Sequence, residues 1–155
     1  MELYHIIKTL HLLSAAILLG AGAAIAFFML RSHFTDNIHE KYFAARNTVL
    51  ADYLFTLPGI IIQPLSGIWL VLQTGIDWNS HWLLLTYILY IVASLCWLPV
   101  VWLQIQMLKI LKACVNENIS IPEQYAIYFK RWFLLGWPAF TCLVIIFWLM
   151  VTRPA

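Results

Sequence analysis

Apolar residues run along this chain in four long stretches, and polar residues gather in the gaps between them. The stretches fall at about Ile6 to Leu30, Val49 to Leu72, Trp82 to Gln104 and Trp132 to Val151. A helix rises about 1.5 Å per residue, so about 20 apolar residues cross a bilayer core of roughly 30 Å, and each stretch is long enough. In hydrocarbon the backbone must bond to itself, which makes each stretch a helix. The pattern predicts an all-α fold, an integral membrane four-helix bundle, in one domain over residues 1–155. The first stretch also has features of a signal peptide, with Lys8 ahead of an apolar run and small residues at Ala21-Gly22-Ala23. Its core from Leu10 to Leu30 exceeds the roughly 7 to 15 residues of a cleavable segment, so it is read as a span.

Composition agrees with the pattern. Hydrophobic residues make up 63% of the chain and charged residues 10%. A soluble domain has roughly 45–50% and about 25%, so no water-facing surface can be assembled here. That excludes a soluble enzyme, a nucleic-acid binder with a basic face and a disordered tail. Cys96, Cys114 and Cys142 form no CxxC pair and no disulfide framework.

Charge placement sets an expected orientation. Arg31, Lys41 and Arg46 lie between spans one and two, and Lys109, Lys112, Lys130 and Arg131 between spans three and four. Only Lys8 and Arg153 lie on the other side. The positive-inside rule then puts both loops in the cytoplasm and both termini outside, on the periplasmic side of a bacterial inner membrane. Tyr42 to Asp52 reads as a helical extension of span two into water. Trp78, Trp82 and Trp132 suit interfacial belts. No Walker, Rossmann or HExxH pattern occurs, so any chemistry belongs inside the bundle or at its mouths.

An ionisable side chain within a span is a functional candidate, and His11 stands about five residues into the first. A neutral imidazole can give one nitrogen to a metal and the other to a hydrogen bond, or it can simply join two helices. Lys8, Ser14, Ala15, Leu18 and Gly22 share its helical face. The small residues there leave room for a flat cofactor or for another helix, as Gly20, Gly22 and Ala24 do for packing. Lys8 can snorkel to the interface or meet an anionic group. His81 opens span three on the same side and is a candidate second metal ligand. His5 reads as a surface residue, and His33 and His39 as solvent-exposed. Pro58 and Pro64 remove amide donors and free carbonyls near Leu54 and Ile60, so span two should kink and need outside partners. Gln63 beside Pro64 can line a cavity. Thr86 and Tyr90 bring hydroxyls to about the depth of His11, and Cys96 is a soft-ligand candidate.

The run Tyr4-His5-Ile6-Ile7-Lys8-Thr9-Leu10-His11-Leu12-Leu13, ahead of a small-residue span, resembles the first helix of the HemJ-type protoporphyrinogen oxidases. So do Leu57-Pro58-Gly59, Gly67-Ile68-Trp69-Leu70, Trp82-Leu83, Arg131 leading to Pro138, and Met150-Val151-Thr152-Arg153-Pro154. The resemblance implies a four-span haem b protein with His11 as an iron ligand and Lys8 toward a propionate. The chain departs from that family where Thr86 occupies the place of a lysine required for activity. Cys96 stands near a missing histidine, and Gly136-Trp137 replaces Asn-Glu before Pro138. The whole layout also resembles an uncharacterised bacterial family of four-span membrane proteins related to CopD-type copper-resistance domains.

The expected function is a haem b protein with a redox or electron-transfer role, an oxidoreductase if catalytic. Its site would be His11, Lys8, Ser14, Ala15, Gly22 and Thr86, with His81 as the candidate second metal ligand and a quinone or porphyrin-like small molecule as partner. Copper or other metal handling through His11, His81 and Cys96 is a second reading, and a non-catalytic membrane subunit a third. So many aromatics in so small a unit leave lipid-facing surface for a homodimer.

Overall fold

A computed structural model describes residues 1–154. The described residues are helical throughout: α1 (Glu2–His33), α2 (Ile38–Ala51), a π-helical turn (Asp52–Thr56), α3 (Leu57–Thr74), α4 (His81–Glu117) and α5 (Glu123–Thr152). Four rods result, because α2, the π turn and α3 run on as one helix from Ile38 to Thr74, and all four are long and apolar enough to span a membrane. Most large apolar side chains along them face outward, as expected where lipid rather than water is the surrounding medium. The two chain ends lie at one end of the bundle, and the α1–α2 and α4–α5 connections at the other.

Each rod is longer than its apolar stretch. The α4 helix continues past Gln104 to Glu117, and α5 begins at Glu123 rather than near Trp132. The α4 extension packs on α2 and on the α5 extension, and the main core forms there, with Met29, Ala45, Met107, Leu111 and Phe129 buried together. The stretch from Tyr42 to Asp52 is helical as expected, but its Ala45, Thr48 and Asp52 are buried rather than facing water. Lys41 is buried as well. Its Nζ donates to Ser32 O (3.1 Å) and His33 O (2.9 Å), which caps the carbonyl end of α1 with a cation. His33 is exposed, as expected, with one face of its ring stacked on Phe129 at 4.1 Å between ring centres.

Two of the belt tryptophans also turn inward. Trp132 is buried because α5 starts well before it, so it sits within the helix packing rather than at a helix end. Trp82 is buried at the terminal end, under the guanidinium of Arg153 at 5.9 Å. Trp78 remains exposed.

Close approach at one glycine holds α1 on α3. A Cβ added at Gly59 would fall 2.7 Å from Leu18 Cγ, so only glycine permits this approach. The expected proline defects in span two are accommodated rather than left open. The π turn lies just ahead of Pro58, with Leu57 N–H bonded to Asp52 O. The carbonyl of Ile60, orphaned by Pro64, accepts the Tyr90 hydroxyl at 2.5 Å.

Candidate functional site

At the terminal end, a cavity of about 150 Å³ lies among all four rods. Lys8, His11 and Thr86 line it, as do Gln63, Gly67, Tyr90, Met150 and Arg153. His11 is half-buried. Its Nδ1 lies 2.8 Å from Ser66 Oγ, and that hydroxyl already donates to Ile62 O at 2.6 Å. A hydroxyl has one hydrogen, so the short bond to Ile62 leaves Ser66 as the acceptor and puts the imidazole proton on Nδ1. The lone pair is then on Nε2. Gly67 allows the ring its place, since a Cβ there would lie 3.3 Å from His11 Cε1.

The backbone beneath the histidine is braced too. Gln63 Nε2 donates to His11 O and to Ser14 Oγ, both at 2.6 Å, and Ser14 in turn donates to His11 O at 3.0 Å. Ser14 is therefore committed to the α1–α3 joint rather than offered to a ligand, and Ala15 is half-buried beside it. Thr86 is buried and donates to Trp82 O at 2.8 Å.

The remaining expected residues lie apart. Gly22 is eleven residues beyond His11, about 16 Å along the helix, and lines a different cavity against Phe140. His81 is exposed at the start of α4 and outside the cavity lining, because its helix turns Trp82 and Thr86 inward instead. Cys96 also lies outside it. Among the described residues, no group of three or more His, Cys, Asp or Glu is placed to hold a metal ion. Two lining residues went unnoticed in the sequence reading of this site: Met150, a thioether on α5, and Arg153, a second cation beside Lys8 at the mouth. Their spacing with Ile146 on one face of α5 was the available signal.

Another buried group, expected from the sequence to face water, was not among the site candidates. Asp52, the one acid between Glu40 and Asp77, sits with Thr56, Gln104 and Trp132 on the floor of the cavity that Gly22 lines. The i, i+4 pairing of Asp52 with Thr56 inside an apolar run was its signal in the sequence.

The fold and these cavities define a four-span helical membrane protein with a histidine-bearing cavity at the terminal end of its bundle. The chain belongs to the family described as predicted integral membrane protein (DUF2269), whose model matches residues 5–154. No curated protein and no solved structure matches it significantly.

Proposed function

We propose that the protein is a haem b protein of the bacterial inner membrane, with a redox role and with His11 as the iron's protein ligand. One observation carries the reading. The Nδ1–H···Ser66 bond holds the imidazole in the tautomer that leaves Nε2 free, in a cavity whose mouth carries the two cations Lys8 and Arg153. A haem needs an axial nitrogen and counter-charges for two propionates, and these residues have that chemistry. The enclosed space is below the roughly 300 Å³ of a typical small-molecule pocket, so a macrocycle held here would stand partly outside it.

Haem iron brings four ring nitrogens of its own and needs only one or two from the protein, whereas a bare copper ion needs a set of protein donors. A lone half-buried histidine therefore favours haem over metal handling. Met150, which lines the same cavity, would be a further residue able to hold the iron, ahead of the exposed His81 outside it. A bound haem would supply one-electron chemistry, and the protein would set access and potential. Thr86 has its hydroxyl engaged with Trp82 and offers no amine, which speaks against protoporphyrinogen oxidase activity. The charge asymmetry supports both termini facing the exterior.

Spectra of the protein purified in mild detergent test the proposal, oxidised and then reduced with dithionite. A Soret band with reduced α and β bands in the wild type, absent from His11→Ala, is the expected result. A wild type that stays colourless after expression with ample haem overturns it. A copper-sensitive deletion strain would then point to metal handling, and a co-purifying partner indifferent to His11→Ala to a structural subunit.

A further inference from the structure

The cavity lined by Gly22 has a volume of about 360 Å³, against about 150 Å³ at His11, and lies within the range of small-molecule pockets. Small residues of α1 (Gly22, Ala23, Ala26) and α5 (Gly136, Ala139) line it together with the aromatic rings of Trp97, Phe133 and Phe140. These two helices touch sparsely compared with the α4–α5 pair. Ala23, Ala26 and Trp137 on the rim are exposed, so the slot opens to the bilayer.

Its floor is polar and only partly satisfied. Asp52, Thr56, Gln104 and Trp132 are all buried there. The Thr56 and Gln104 side chains lie toward the Asp52 carboxylate, whose Oδ1 also accepts from Trp97 Nε1 at 3.4 Å. Gln104 Oε1 and the Trp132 indole N–H have no hydrogen-bond partner among the described residues. No lysine, arginine or histidine lines the cavity. Buried polar groups of this kind are costly unless something meets them.

The set also states what would meet them. Gln104 Oε1 and the Asp52 carboxylate accept, the Trp132 indole only donates, and the Thr56 hydroxyl does either. A cation would satisfy the acceptors and leave the indole N–H unmatched. A neutral ligand carrying both a hydroxyl and a carbonyl or ether oxygen matches donors and acceptors together. The aromatic lining of Trp97, Phe133 and Phe140 suits a ring, and entry from the bilayer selects a lipid-soluble one.

We propose that this slot binds the ring of a lipid-soluble quinol, its hydroxyls donating to Gln104 Oε1 and the Asp52 carboxylate, one ring oxygen accepting from Trp132 Nε1, and its tail in the bilayer. The site stands on its own residues and does not depend on a haem at His11.

A short-chain hydroquinone carrying a photoreactive azide on its ring, kept reduced under argon and irradiated with the purified protein in detergent, tests this. The expected label falls on α1 and α5 beside the slot and is competed by the unmodified quinol. Gly136 has no atom within 4 Å of an added Cβ, so Gly136→Leu fills the slot without a clash and should reduce labelling at least tenfold. Gln104→Leu, on another helix, removes a hydroxyl acceptor and should raise the competing concentration of quinol about tenfold, with unchanged melting temperature as the check on folding. His11→Ala should label as the wild type does, which separates this proposal from the haem reading. Label scattered over lipid-facing positions and unchanged by Gly136→Leu would mean partition into the micelle and would overturn the site. Competition by tetraphenylphosphonium but not by the quinol would overturn it in favour of a cation site.

Discussion

Replacing Ser66 by alanine removes the one acceptor of the His11 Nδ1 proton, at 2.8 Å, and leaves that N–H without a partner. Orphaning a buried donor costs about 1–3 kcal/mol. Loss of the group that orients a metal-ligating histidine typically weakens metal binding about 10–100-fold, which at about 1.4 kcal/mol per tenfold is about 1.4–2.8 kcal/mol. The two figures agree, because both describe the same bond. The expected result for Ser66→Ala is therefore haem that is bound but lost 10–100 times more readily to a competing apoprotein, followed by the decay of the Soret band. Ser66→Thr keeps the hydroxyl and should lie closer to wild type. Gly67→Ala tests the ring from its other side: the new Cβ would crowd Cε1 at 3.3 Å, and retention should again fall. Wild-type retention in Ser66→Ala, beside complete loss in His11→Ala, would refute the orienting role of Ser66 and the tautomer argued from it.

Three further substitutions test the frame around the site. Gly59→Ala should destabilise the bundle by about 1–3 kcal/mol in detergent unfolding, and Leu18→Ala in the same chain should recover part of the loss, since the clash is between these two side chains. Tyr90→Phe leaves the Ile60 carbonyl beside Pro64 without its donor, and should cost about 1–3 kcal/mol in the same assay. Lys41→Met removes the ammonium from the last carbonyls of α1. It should cost about 1.5–3 kcal/mol and raise amide exchange in the last turn of that helix.

The local chemistry of the chain was legible residue by residue. Pro64 announces an orphan carbonyl at Ile60, because that follows from a missing N–H four residues on, but which hydroxyl answers it depends on where α4 lies. His11 stands out as the ionisable group of an apolar run, while Ser66, its partner 55 positions away, looks in sequence like any small residue of a span. Gly22 shares a helical face with His11, and a face is a direction, not a depth, so the two could be taken as one site although a different cavity holds each. Asp52 was read as facing water because an acid at the edge of an apolar run ordinarily does so. The extended α4 and α5 cover it instead.

Hydrophobicity along the chain is thus enough to determine the helices, their number and their membrane setting, since lipid acts on every residue of a span and leaves the backbone no alternative. It does not determine which side chains meet. In a bundle whose interior and exterior are both apolar, no polar–apolar contrast marks the inward face. The facing pairs Gly59 with Leu18, Ser66 with His11 and Tyr90 with Ile60 exist only because particular helices pack at a particular register.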